Sequence, residues 1–78
     1  MPEPTWKTIR ARAGEFHSTE YRGMKLDVVR TNGQAIVVGS VFTESGDRLE
    51  RFSACCTVDQ AKARCVRVAD RWADEGDD

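Results

Sequence analysis

The sequence predicts an α+β domain, a three- to four-stranded antiparallel β-meander packed on one C-terminal α-helix. Three observations predict it. Thr57-Val58-Asp59-Gln60 has the capping-box form, a hydroxyl at the N-cap with Gln three residues on. The segment it opens has an apolar stripe at helical spacing: Val58, Ala61, Cys65, Val68, Ala69 and Trp72. The chain before it is a series of short, β-like runs separated by turn residues.

The elements follow in order. Residues 1–5 hold two prolines and are expected to fray. Trp6 to Arg12 is a short segment that fits helix or strand, ended by Gly14. Glu15 to Tyr21 reads as a strand that packs through Phe16 and Tyr21, and Arg22-Gly23 is a turn signal. Met24 to Thr31 alternates, with Met24, Leu26 and Val28 on one face and Lys25, Asp27 and Val29 on the other, as a half-buried strand does.

Asn32-Gly33 is the strongest hairpin signal, because both central positions of a type I′ turn need positive φ. Gln34 to Glu44 is apolar on both faces, as a strand covered on both sides would be. Gly39 interrupts it and marks a possible bulge. Ser45-Gly46-Asp47 turns the chain into a last strand, Arg48 to Cys56. The helix is expected over Val58 to Ala73, followed by a frayed acidic tail, 74–78.

The expected core sets the helix stripe on Met24, Leu26, Val28, Ile36, Val38, Phe42, Phe52 and Ala54, with Trp6 and Trp72 sealing its ends. Val29, Val37, Val41 and Leu49 then share the opposite sheet face. Four aliphatics there call for a cover: the N-terminal segment, a second subunit of a homodimer, or a partner. On this assignment, Val37→Asp or Val41→Asp yields a monomer.

Composition narrows the function. The 78 residues make one domain, small enough that oligomerisation or a standing partner helps it. The formal net charge is −1, which gives no whole-protein field for nucleic acid. The tail holds four of the 13 acids, so residues 1–73 carry 12 basic and nine acidic side chains. The tail is solubilising, or competes with phosphate for the arginines. Met1-Pro2-Glu3-Pro4 lacks the charged and apolar regions of a leader, and no run is long enough to span a membrane. With three cysteines, an odd count without secretion signals, the expectation is free thiols in a reducing cytosol.

No catalytic constellation stands out. Cys55 and Cys56 are adjacent and Cys65 lies in the helix, without the spacing a zinc site uses. Cys56 and Cys65 read as small buried residues and Cys55 as exposed. His17, the one histidine, reads as a surface residue of an edge strand. No glycine-rich phosphate loop exists, so neither enzyme activity nor a cofactor is expected.

The basic residues are the candidate partner-binding set. Arg64, Arg67 and Arg71 form one helical row with Lys62 near its edge; Arg10 and Arg12 lie together upstream, and Arg48 and Arg51 in the last strand. The row is a solvated face with Arg67–Asp70 and Arg71–Asp74 pairs, or it binds carboxylates of a protein, or it follows a phosphate backbone. Phe16, Phe42 and Phe52 read as core, which leaves no aromatic platform for bases.

Trp6, Gly14-Glu15-Phe16, Arg22-Gly23, Leu26-x-Val28, the apolar run 36–42 and Thr57-x-x-Gln60-Ala61-Lys62 form a layout that is similar to short proteins of phages and prophages of high-GC bacteria. In size and layout it resembles some anti-CRISPR proteins. The resemblance implies a non-catalytic, stoichiometric inhibitor that covers a surface of a CRISPR effector complex, a protein or ribonucleoprotein target in the bacterial host. It assigns no residue a role. The strand-strand-strand-helix order also resembles part of the double-stranded-RNA-binding domain, without the lysine-rich start of that family's last helix. The alternative function is therefore a small nucleic-acid-binding accessory domain using the helix arginines.

Overall fold

A computed structural model describes residues 5–75. Five strands, β1 (Lys7–Ala11), β2 (Gly14–Tyr21), β3 (Met24–Thr31), β4 (Val37–Phe42) and β5 (Arg48–Ala54), form one antiparallel sheet in the order β1-β2-β3-β4-β5. Helix α1 (Val58–Glu75) crosses one face and packs on β3 and β4. The sheet has one strand more than expected, because the Trp6 to Arg12 segment is strand β1. A two-residue turn, Arg12-Ala13, joins it to β2, with Ala11 opposite Gly14. All five residues of β1 are exposed.

The tight hairpin turn lies elsewhere than Asn32-Gly33. Arg22 and Gly23 both have positive φ, 51° and 79°, and join Tyr21 to its cross-strand neighbour Met24. That is the type I′ pattern. At Asn32-Gly33 only Gly33 is positive, at 80°, and the Gln34 N–H donates to the Thr31 carbonyl at 3.1 Å, as in a type II turn. Asn32 is held instead by the first hairpin: its side-chain amide donates to the Arg12 carbonyl at 2.6 Å and its backbone N–H to the Ala13 carbonyl at 2.8 Å. The chain then needs residues 34–36 to reach β4, so that strand begins at Val37 rather than Gln34.

This shift decides which side of β4 is buried. Val37, Gly39 and Val41 face the helix; Val38 and Phe42 face away, and Ile36 is exposed in the connection. The expected faces of this strand are thus exchanged, as a one-residue change of phase requires. The cause is the cross-strand pair Gly39–Phe52. A Cβ at position 39 would overlap the Phe52 ring, so a strand with glycine there turns that side toward β5's aromatic residue. Leu49 sits at an irregularity between Val41 and Phe42, half-buried against the core rather than on the far face.

The helix matches its capping box. Gln60 N–H donates to Thr57 Oγ1 at 3.1 Å and Thr57 N–H to Gln60 Oε1 at 3.0 Å. Ala61, Cys65, Val68 and Ala69 are its buried residues, small enough to bring the helix close to the sheet. They pack with Met24, Leu26, Val28, Val37, Val41 and Phe52, and Trp6 and Trp72 flank this cluster. Burial pushes the Cys65 thiol up to about 11, so it is an inert core group. The helix continues through Asp74 and Glu75, beyond the expected Ala73. Thr5 accepts a hydrogen bond from Thr19 Oγ1 at 2.8 Å. The remaining residues expected to fray, 1–4 and 76–78, lie outside the described part. No helix among the described residues is long and apolar enough to cross a membrane.

One clamp joins the sheet to the helix. Tyr21 Oη donates to Asp70 Oδ1 at 2.8 Å, Arg22 Nη1 to the same oxygen at 3.0 Å, and Arg22 Nη2 to Asp74 Oδ1 at 3.4 Å. The hydrogen bonds from Tyr21 and Arg22 hold the Asp70 carboxyl below its ordinary range. A carboxylate with a depressed folded pKa contributes stability above its unfolded pKa, and that contribution disappears as pH falls through the folded value. We therefore expect Asp70→Asn to lower the melting temperature at neutral pH, with the gap to wild type closing below about pH 4. A gap that persists unchanged into acid would show that the carboxylate charge is not what holds the clamp.

Candidate partner-docking site

The arginines are not brought together. The Arg64 guanidinium lies 4.3 Å over the Phe52 ring, and Arg71 pairs with Glu50. Asp70 and Asp74, the expected partners of Arg67 and Arg71, are taken by Arg22 instead. Arg67 is exposed and has no ion pair among the described residues. Arg10, on β1, is bound by Glu15 at 3.5 Å, and Arg12 is exposed in the first turn. The helical row thus flanks β5 at one edge of the sheet, while Arg10 and Arg12 stand at the other.

His17 is buried, with 7% of its surface exposed, and not on the surface as expected. β1 makes the difference: β2 is an inner strand, and His17 points to the helix side next to Val28. Its Nδ1 lies 3.0 Å from Thr8 Oγ1, and its Nε2 lies 3.6 Å from Glu15 Oε2. Hydroxyl, imidazole and carboxylate in this order are the parts of an activated nucleophile. Here the carboxylate stands beyond hydrogen-bond reach of Nε2 and is shared with Arg10, and the Thr8–His17 contact ties β1 to β2. Cys55 is exposed, Cys56 half-buried and Cys65 buried. Among the described residues no group of three or more His, Cys, Asp or Glu side chains is placed to hold a metal ion.

The exposed apolar surface lies on the sheet face away from the helix. The strand register sets Ile9 beside Phe16, Phe16 beside Val29 and Val29 beside Val38. Cross-strand neighbours point to the same face, so these four side chains form one row across four strands. Ile9 is 65% exposed and Phe16 40%. Val29 is the only one of the four aliphatics expected on this face that stands there; Val37 and Val41 are core, and Leu49 packs against the core.

The next row, toward the Tyr21 end of β2, is polar: Lys7, Ser18, Asp27, Ser40 and Arg51. Beyond it lie Glu20, Lys25, Phe42 and Arg48. Lys7, Ser18, Glu20, Lys25 and Asp27 line a shallow groove beside the apolar row. Partial burial raises the Asp27 carboxyl, with Lys25 opposing.

Sequence reasoning placed Phe16 in the core and gave Ile9 no role. The signal that finds them is the register. Once β1 is a strand with a two-residue turn, Ile9 must share a face with Phe16. The face combines aliphatic and aromatic side chains with a mixed-charge rim, the make-up of a protein-docking surface. Searches of protein-family models, curated proteins and solved structures match nothing to this chain.

Proposed function

We propose that the chain is a non-enzymatic binding protein that acts by stoichiometric occupancy of a protein or ribonucleoprotein target. It docks through the open sheet face and covers the surface it binds. The observation that carries this reading is the row Ile9–Phe16–Val29–Val38, apolar and partly exposed on the face the helix leaves free. The specific form of the proposal is an anti-CRISPR-type inhibitor in the bacterial cytoplasm, which rests on the resemblance of size and layout.

The accessory nucleic-acid reading moves to the same face. Arg64 and Arg71 are engaged within the molecule, whereas Lys7, Lys25, Arg48 and Arg51 stand on the free face, in the two rows to one side of the exposed Phe16. A single-strand platform uses stacking aromatics and cations in this way. Ile9, Val29 and Val38 offer bases no stacking surface, and Asp27 repels phosphate, so the protein target is the stronger reading.

The test is capture from bacterial lysate with and without nuclease, wild type beside Ile9→Asp. We expect a defined complex that survives nuclease and about 0.5 M salt, conditions under which binding through several phosphates weakens steeply. Ile9→Asp is expected to lose it. Nucleic acid alone, released by nuclease, would replace the reading with the accessory-domain one. For the specific form, target cleavage by reconstituted CRISPR effector complexes is expected to stop at equimolar protein. Undiminished cleavage across the effector types would remove it.

A further inference from the structure

We infer that the target presents an extended, acidic segment, and that this segment pairs with the outer edge of β1 as a further strand of the sheet, antiparallel to β1. It carries an apolar side chain beside Ile9 and carboxylates beside Lys7 and Arg10. This inference rests on the reading of the chain as a protein-docking module, and it names the chemistry of the docked segment.

The backbone phase of β1 opens the edge. In an antiparallel pair each residue turns both main-chain groups toward its neighbour, or both away. The two-residue turn Arg12-Ala13 makes Ala11–Gly14 a hydrogen-bonded pair, so Ile9 and Lys7 also face β2, while Thr8 and Arg10 face outward. The Arg22-Gly23 turn fixes the same phase from the other side. It turns Glu15 and His17 toward β3 and leaves Phe16 and Ser18 for β1. The outward groups of Thr8 and Arg10 have no hydrogen-bond partner among the described residues. β1 has no proline and pairs residue for residue, without a bulge. Such an edge is a template for another strand. The opposite edge, β5, is less open: its register breaks at Val41/Phe42, and Arg64 and Arg71 reach its Phe52 and Glu50 from the helix.

Charge selects the occupant. Residues 5–13 carry Lys7, Arg10 and Arg12 and no acid, in a chain whose net charge is −1. Glu15 meets Arg10 at Nε, 3.5 Å away, and the Arg10 side chain is still 79% exposed. A second β1 laid along this edge would add the same three cations to it, whereas an acidic strand meets opposite charge. Opposite charges across a strand pair are favourable and like charges unfavourable. Ile9 sets the register. It is the outer end of the apolar row and is 65% exposed, so an apolar residue opposite it extends the row by one strand. Antiparallel pairing then orders the segment: an acid opposite Arg10, the apolar residue opposite Ile9, a polar residue opposite Thr8 and an acid opposite Lys7. Glu-Val-Thr-Glu is such a segment. Its first Glu and its Thr exchange main-chain hydrogen bonds with Arg10 and Thr8, and its Val turns its N–H away.

The test titrates the capped peptide Thr-Glu-Val-Thr-Glu-Thr into the isotope-labelled whole chain and follows the amide resonances. We expect saturable binding with a Kd of about 1 mM or tighter, and the largest shifts at the Thr8 and Arg10 amides. N-methylation of the Thr between Val and the second Glu removes a bond to Thr8 and is expected to weaken binding about tenfold or more. N-methylation of Val, whose N–H points to solvent, is expected to change it less than about threefold. Arg10→Glu is expected to weaken binding about threefold, and a peptide with Lys in place of its first Glu to recover it. No saturable binding up to about 5 mM peptide overturns strand addition. A target captured from lysate through Ile9 would still stand, because capture through the face does not need the edge. Equal losses from the two N-methylations mean side-chain contact without strand pairing, and overturn the inference. Tighter binding of the reversed order, Glu-Thr-Val-Glu, overturns the antiparallel orientation. Amide protection at Thr8 and Arg10 in the free protein that is lost on dilution means that a second copy holds the edge, and overturns the acidic partner.

Discussion

Val41→Asp is expected to leave no folded population at room temperature. Val41 has no exposed surface and lies beneath the helix, beside Leu26 across the β3–β4 pair. The substitution removes about 1.5–3 kcal/mol of apolar burial. It also buries a carboxylate with no partner, which costs several kcal/mol more. The whole stability of a chain of this length is about 4–12 kcal/mol. Ile9→Asp, on the open face, is expected to change stability by no more than about 0.5 kcal/mol. Urea unfolding followed by far-ultraviolet circular dichroism separates the two. A cooperative, wild-type-like transition for Val41→Asp would mean that β4 presents its other side to the helix, and that Val37 and Val41 belong to the free face.

Gly39→Ala is the second large effect. The added methyl group points at the ring of Phe52, where three ring carbons already occupy its space. Phe52 is buried and carries the Arg64 guanidinium on its ring, so it does not swing away freely. Overpacking of this kind costs about 1–3 kcal/mol. The expected result is a lower urea midpoint with an unchanged slope, because the fold and its exposed area are kept. Phe52→Leu tests the cause. It loses packing by itself, but in the Phe52→Leu background Gly39→Ala is expected to cost less than half as much. Contacting residues couple in this way, whereas independent ones add. Full additivity would show that the glycine is needed for some reason other than the ring.

Both variants probe the decision that was hardest to read from the residues. β4 is apolar at Val37, Val38, Val41 and Phe42, so alternation does not choose a face for it. The choice is made by a contact between Gly39 and a residue of the next strand. The same holds for the docking row. Ile9 and Phe16 lie seven residues apart with a turn between them, and only the pairing of β1 with β2 puts them side by side. The Arg22 clamp joins residues 48 and 52 positions apart in the chain. Helix spacing had suggested local partners for the same aspartates.

By itself the sequence determined the class, one helix after a meander of strands, and the helix in detail. The capping box, the stripe from Val58 to Trp72 and the buried side of β3 are each written within one segment, where 3.6-residue or two-residue periodicity has a single solution. The tertiary structure alone decided that the segment after Trp6 is a fifth strand, that Val37 and Val41 are core, that His17 is enclosed and that the free face carries Ile9, Phe16, Val29 and Val38. These depend on the phase of one strand against another. Phase is set by cross-strand packing and turn geometry between segments, so no single segment contains it.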